Sequence, residues 1–292
     1  MRWCATEGRR GVECKLDRAM MMVDLHTHTT ESDGFLSAPA LVALVQHAGI
    51  DYFSITDHDT LAAYDRHPAA LATLGSRLIR GMEVSSHAGG HDVHILAYGV
   101  GLGETPLSRL VAHRAAARRD RVTRILEKLA AAGIRLSEDD VARHARGAMV
   151  GRSHVARALV EAGHATGTDD AFRRFVGRSG LAFTPIEAPA ASTAIAAIRE
   201  SGGVSVLAHP SRGSVAALLP DLISSGLQGL EVFYAAHDAS EIERYRTFAE
   251  NANLAMTAGS DFHGASDDRR APGCEVEARD LDPFLRLVIE GR

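Results

Sequence analysis

Cysteine is scarce: Cys4, Cys14 and Cys274 are the three in 292 residues, and no two form a CxxC pair. That excludes a disulfide scaffold and a zinc–thiolate site, and it points to a reducing, cytoplasmic compartment. Lysine is scarcer still, with Lys15 and Lys128 set against 30 arginines, a bias of the kind a GC-rich genome produces and one that says little about function. No apolar run reaches membrane-spanning length, so a transmembrane helix is excluded. Residues 1–21 lack the apolar stretch of a signal peptide and are expected to be a disordered tail, or to precede a true start near Met22. The net charge of -5 gives no general attraction to nucleic acid, and stable binding of duplex DNA is not expected. A polyanionic partner has to meet a local basic patch or bound metal ions. What remains is an ordinary soluble balance, 46% hydrophobic and 24% charged, long enough for one large domain with a small insert.

Short apolar runs alternate with helical patterns. Strands are expected at 22–25, 52–56, 78–82, 93–98, 204–208, 229–233 and 254–258, with helices between most of them, including one over 60–74. Between 105 and 180 the pattern changes. Thr105 and Pro106 open a long helix closed by Gly133, Ser137 and Asp140 resemble a capping box, and no strand is expected there. The organisation is therefore parallel α/β, in the manner of a barrel over 22–104 and 181–292, carrying a helical insert over 105–180.

Histidine stands out, with 15 in the chain. In Asp24-Leu25-His26-Thr27-His28 the two histidines are two apart on an extended strand, so both rings point to one side and can grip one metal ion. Asp33 follows within the same loop. A single His-x-His is an ordinary polar pair, but the pattern recurs: Thr56-Asp57-His58-Asp59 ends the second strand, Glu83 the third and His209 the fifth, His94 lies in the fourth, and Asp261-Phe262-His263 ends the seventh. In α/β folds of this type the C-terminal strand ends assemble the active site, and imidazole with carboxylate suits a divalent metal.

These motifs resemble the PHP-domain phosphoesterases (polymerase and histidinol phosphatase), and within them the TrpH-like branch, which contains 3′,5′-nucleoside bisphosphate phosphatases that also act as 5′–3′ exoribonucleases. The likeness runs from Met22 to the C-terminus through Asp-Leu-His-Thr-His-Thr at 24–29, Thr-Asp-His at 56–58, Ala-His-Pro at 208–210 and Gly-Ser-Asp-Phe-His-Gly at 259–264. It implies a distorted seven-stranded barrel of the PHP type holding three metals, usually manganese, with zinc, iron and magnesium as alternatives. By carry-over, His26, His28, Glu83 and Asp261 hold the first ion. Glu83 bridges to a second completed by His94 and His209, and Asp33, His58 and His263 hold the third. The catalytic group it implies is a metal-bridging hydroxide beside Glu83, His209 and Asp261. Clustered cations acidify water and neutralise charge on a phosphoryl group in flight, so a phosphate ester suits such a site. Asp24 and Asp57, next to ligands, are read as orienting groups.

The same resemblance points to a phosphorylated nucleotide or short RNA as partner. Gly151-Arg152-Ser153-His154 resembles the branch's segment for a second phosphate, and Arg212 is a further candidate contact. Where relatives often carry lysine before residues 181–185 this chain has Arg178. Arg114, Arg118, Arg121 and Arg124 recur at helical spacing and read as a solvated face, or else as a track for an RNA backbone. His237, after Tyr234, reads as a helix cap, or else as a neighbour of the pocket. Three rivals stand beside this reading. One is an amidohydrolase cleaving C–N bonds; the subtype with a carboxylated lysine is disfavoured because neither lysine ends a strand, and other subtypes stay open. Another is a histidinol-phosphate phosphatase, disfavoured by the position of the insert. The third is a non-catalytic metal-binding module, disfavoured because all nine ligand positions are filled.

Overall fold

The computed structural model describes residues 20–145, 150–186, 188–211, 215–264 and 271–289. Its strands are β1 (Met20–Asp24), β2 (Tyr52–Phe53), β3 (Gly81–Ala88), β4 (His91–Tyr98), β5 (Val204–Leu207), β6 (Gly229–Tyr234), β7 (Ala255–Gly259) and β8 (Cys274–Glu277). They form two sheets, ordered β2-β1-β8 and β3-β4-β5-β6-β7. The α/β class stands, but the pairing is mixed. β1–β2, β5–β6 and β6–β7 are parallel, whereas β3–β4, β4–β5 and β1–β8 are antiparallel. The expectation of a parallel sheet fails at β3–β4, which is a hairpin. It turns at Gly89 and Gly90, whose φ values of 53° and 80° favour glycine. β1 starts at Met20, two residues before the expected strand, with Met20 opposite Glu277 and Met21 opposite Val276.

Single backbone bonds join the sheets at both flanks. On one side Leu25 N donates to Ala258 O at 2.9 Å and Asp261 N to His26 O at 2.8 Å. On the other Ile79 N donates to Phe53 O at 2.8 Å and Glu83 N to Thr56 O at 3.1 Å. These bonds draw the ends of β1, β2, β3 and β7 together.

The helices are α1 (Ala38–His47), α2 (Ala62–Arg66), α3 (Pro68–Ala72), α4 (Pro106–Ala131), α5 (Glu138–Ala142), α6 (Arg152–Glu161), α7 (Thr168–Ala171), α8 (Ala191–Glu200), α9 (Leu219–Ser224), α10 (Ala239–Asn251) and α11 (Ala278–Ile289). The single helix expected over 60–74 is split into α2 and α3, because Pro68 has no N–H to continue α2. Both expected caps of the middle segment form: Thr105 accepts from Ser108 N at 3.0 Å, and Ser137 from Asp140 N at 3.1 Å.

Apolar burial divides α4. Leu107 and Val111 in its first turns belong to the main core with Val206, Leu230 and Phe284. Val122, Ile125, Leu126 and Leu129 belong to a second core with Val155, Leu159 and Phe175. Each fully buried aliphatic side chain favours the fold by about 1.5–3 kcal/mol, so each end of α4 is anchored independently. The stretch between the two cores, with Arg114, Arg118 and Arg121, is left facing the space above the strand ends.

Candidate metal centre

His26 and His28 lie just past β1. The bridge between Thr27 and Phe262 keeps this segment extended, so both rings share one side. Glu83, on β3, sits beneath them as a hub. Its Oε2 lies 3.2 Å from His26 Nε2, 3.1 Å from His28 Nε2 and 3.1 Å from His58 Nδ1. Its Oε1 lies 2.7 Å from His94 Nδ1 and 3.1 Å from His209 Nε2. Asp261 Oδ1 is 3.2 Å from His28 Nε2, and Asp33 Oδ1 is 3.3 Å from His263 Nε2. All nine positions named from the sequence thus meet at one end of the strands.

The donors fall into three overlapping groups: His26, His28, Glu83 and Asp261; His28, Asp33, His58 and His263; and His58, Glu83 and His94. The first agrees with the carried-over set. The second adds His28 to its set, and the third has His58 where the carry-over placed His209. A divalent cation fits this cluster on chemical grounds. His26 Nε2, His28 Nε2, Asp33 Oδ1, His58 Nδ1 and Glu83 Oε2 are buried and lack a hydrogen-bond partner, an expense a fold tolerates where a ligand completes the site. The donors are nitrogen and oxygen only, the set that suits zinc, manganese and iron.

Electrostatics agree. Burial works against the Glu83 carboxylate, yet His58, His94 and His26 outweigh it and hold its pKa well below the usual range. Burial also opposes the charged form of His28, but Asp261 and Glu83 prevail and raise its pKa to about 10. His58 goes the other way: burial takes its pKa down to about 3. Carboxylates that draw a proton onto His28 would draw a metal cation as readily.

The backbone is strained here. Among the described residues, non-glycines with positive φ are Asp59, His209, Asn253 and Asp261; His209 and Asp261 belong to the cluster and Asp59 adjoins it.

The supporting groups differ in part from expectation. Asp24 accepts from Ser260 Oγ at 2.6 Å and Ser260 N at 3.0 Å, and Asp57 accepts from Thr29 Oγ1 and Ser32 Oγ, both at 2.6 Å. Both hold backbone segments rather than imidazole rings. The residue that does hold a ring went unread in the sequence: Glu231 Oε1 is 2.9 Å from His26 Nδ1, and its Oε2 accepts from His209 N at 2.7 Å. Its signal was a carboxylate inside the wholly buried strand GLEVFY. Tyr234, on the same strand, donates to Asp261 Oδ2 at 3.3 Å.

Opposite the cluster, across a cavity of about 940 Å³, stands a wall of arginines. The solvated-face reading of the α4 arginines is wrong for three of them. Arg114 and Arg121 are each 5% exposed, and Arg118 binds the buried Asp59; only Arg124 faces solvent. Arg121 has no partner for its Nε, and burial, with Arg118, Arg152 and Arg114 nearby, lowers its pKa to about 9. Arg152 opens α6 and lines the same cavity. Its two neighbours are otherwise engaged. Ser153 Oγ donates to Asp33 Oδ2 at 2.8 Å, and His154 Nδ1 accepts from Gly151 N at 3.0 Å, capping its own helix. Arg178 pairs with Asp92 at 2.9 Å at the cavity mouth. Arg212 lies outside the described residues. His237 is no cap, since Asp238 takes that place in α10; its ring is buried, with Nδ1 2.9 Å from Val232 O.

Comparison with known proteins agrees with this geometry. The PHP domain family matches residues 24–173. A 5′-3′ exoribonuclease of Haemophilus influenzae is 33% identical over 82% of this chain and 89% of that protein. A 3′,5′-nucleoside bisphosphate phosphatase of Chromobacterium violaceum is 29% identical over 92% of this chain and 95% of its own. A solved structure from Bifidobacterium adolescentis, described as a metal-dependent phosphoesterase, superposes with a TM-score of 0.83 at 31% identity, covering 92% of this chain and 98% of that one. No helix among the described residues is long and apolar enough to cross a membrane. The chain belongs to the PHP domain family, and it is a metal-dependent enzyme that hydrolyses phosphoric ester bonds.

Proposed function

We propose that the substrate carries two phosphate positions around one ribose, one hydrolysed at the histidine–carboxylate cluster and the other held by the arginine wall. A 3′,5′-nucleoside bisphosphate and the 5′-phosphorylated end of short RNA both meet that description, and the relatives' names support each. The observation that carries the reading is Arg121, a buried guanidinium with an unpaired Nε on a cavity shared with Arg152 and the cluster. A desolvated guanidinium with an unsatisfied N–H is costly, and a phosphate answers it with forked hydrogen bonds.

The ions that suit the cluster are divalent, manganese first, and three overlapping donor groups support three of them. His26, His28, Glu83 and Asp261 would hold one, Glu83, His94 and His209 a second, and Asp33, His58 and His263 a third. Once bound, such ions supply positive charge against phosphoryl oxygens and acidify water at neutral pH. The chain's own groups orient the reaction. Glu231 fixes His26 and the backbone of His209, Tyr234 fixes Asp261, and Arg121 and Arg152 anchor the second phosphate so that the first meets the cluster in register. In this reading β1 to β7 act as a distorted seven-stranded barrel, with β8 paired to β1 beside it and residues 105–180 as the insert. The backbone bonds at both flanks and the separate second core support it.

The test is Arg152→Ala in manganese-loaded enzyme. On a nucleoside bisphosphate kcat/KM should fall by roughly ten- to a hundredfold, the worth of one charged hydrogen-bonding contact. On an aryl phosphate, which has no second phosphate, it should hardly change. Equal losses on both substrates would show that Arg152 supports the fold or the cluster and does not select the substrate.

A further inference from the structure

Asp59 directly follows His58 but serves the opposite side of the cavity. Its side chain is wholly buried. Oδ2 accepts from Arg114 Nε at 3.0 Å, Arg118 Nε at 3.2 Å and Arg118 Nη2 at 2.5 Å, while Oδ1 accepts from Ser85 N at 2.9 Å. Arg118 also donates to Ser85 Oγ at 2.9 Å. The Asp59 backbone N–H donates to the carbonyl of Glu83, the hub of the cluster, at 2.9 Å. Its φ of 54° lies in the left-handed region, a conformation that lasts only where the surroundings fix it. One residue is therefore bonded to the hub through its main chain and to two turns of α4 through its side chain. Arg114 and Arg118 are one helical turn apart, so a single carboxylate can hold both, and Arg121 follows on the next turn.

We infer that Asp59 is a positioning residue that sets the distance between the arginine wall and the metal cluster, and so selects substrates by the spacing of their two phosphates. The inference rests on the two-phosphate reading. Besides Asp59, α4 is tied to the main body by the packing of Leu107 and Val111, by Leu107 N donating to Ser201 Oγ at 3.0 Å and by Arg118 donating to Ser85 Oγ. Leu107 and Val111 lie near its N-terminus, more than two turns from Arg121, whereas Asp59 holds the two arginines that precede Arg121 on the same face. A second role is conceivable for any carboxylate among arginines, namely to neutralise them. The two roles have opposite consequences: losing a neutraliser strengthens the grip on an anion, whereas losing a positioner weakens it.

Asp59→Asn separates them. The amide keeps the shape and one acceptor but turns a donor toward guanidinium groups that are themselves donors. In manganese-loaded enzyme, KM for adenosine 3′,5′-bisphosphate should rise about tenfold with kcat within about threefold, while kcat/KM for p-nitrophenyl phosphate stays within about threefold. Manganese content should be unchanged. A lower KM for the bisphosphate would assign Asp59 to neutralisation and overturn the inference, as would equal losses on both substrates or no change on either. Asp59→Glu covers the case in which the asparagine variant does not fold. It keeps the charge, adds one methylene, and should raise KM for the bisphosphate alone; wild-type behaviour there would overturn the inference equally. Arg152→Ala in the same experiment distinguishes the failures. If it too is unselective, the two-phosphate reading falls; if it is selective and the Asp59 variants are not, the positioning role alone falls.

Discussion

The cavity has two faces built on different principles. On one, nine donors gather at the strand ends, five of them buried and four half-buried, braced by groups such as Glu231 and Asp57. On the other, arginines project from α4 and α6, helices whose outer ends rest on a separate core. The first face is set by the period of a strand and by backbone bonds between neighbouring strands. The second is set by how a helix lies across a core and by one shared carboxylate. Chemistry that requires sub-ångström placement sits on the face fixed by backbone geometry, and recognition sits on the face fixed by packing.

If the division is real, damage to the cluster should be absolute and damage to the wall should depend on the substrate. The largest effect is expected from His26→Ala or Asp261→Ala, which should lower metal content and reduce hydrolysis of every substrate to background while leaving the fold largely intact. Near-normal turnover by metal-replete His26→Ala would refute the ligand assignment. Removal of metal by a chelator should act alike, with recovery on adding manganese. The pH dependence follows from His28. Its folded pKa of about 10 lies above its ordinary 6.5, so in metal-free protein its protonated form contributes stability below pH 6.5 that is lost as pH rises through 10. A cation must displace that proton, so manganese affinity should rise with pH over this window, and uptake near pH 8 should release protons in a weakly buffered titration. Uptake without proton release would contradict it.

The contrast also explains what could be read in the sequence. The spacing of His26 with His28 was legible because side chains alternate along extended backbone, so the sequence interval alone determines the shared side; Asp261 and His263 were legible as donor types, but a positive φ at Asp261 sets their directions. Glu231 was not, because a carboxylate within an apolar strand shows that it needs a partner without saying which. The arginine stripe was misread for a related reason. Helical periodicity identifies a polar face, but whether that face meets solvent or a cavity depends on the two cores at either end of α4. The hairpin did leave a mark, in the consecutive Gly89 and Gly90, whereas the short edge strand Cys274–Glu277 left almost none.

Intermediate effects would sharpen the comparison. Glu231→Gln keeps the shape but weakens the hold on His26, and should cost about ten- to a hundredfold in metal affinity or activity, on all substrates. Leu159→Ala opens a cavity in the second core and should cost about 2–5 kcal/mol in stability. In that variant manganese content and aryl phosphate hydrolysis should survive at temperatures where the bisphosphate KM has risen. Parallel loss of both activities would mean that the two faces are a single cooperative unit.

The smallest effect is expected at the cavity mouth, where Asp92 pairs with Arg178 at 2.9 Å. Asp92 is 56% and Arg178 58% exposed in their side chains, so the pair is screened and worth about 0–1 kcal/mol to the fold. Asp92→Asn should leave the melting temperature almost unchanged. Its effect on the wall differs, because Asp92 is also the anion that acts on Arg152. Removing it leaves Arg152 and Arg178 with more uncompensated charge facing an incoming phosphate. Two unit charges about 4 Å apart in water interact by about 1 kcal/mol, so KM for a bisphosphate should fall by a few-fold. The gain should be visible at low salt and shrink as ionic strength rises, since solvent-exposed charges are screened over about 10 Å at 0.1 M. An unchanged KM at low salt would mean that the second phosphate lies out of reach of the mouth. It would then be held by the buried part of the wall alone.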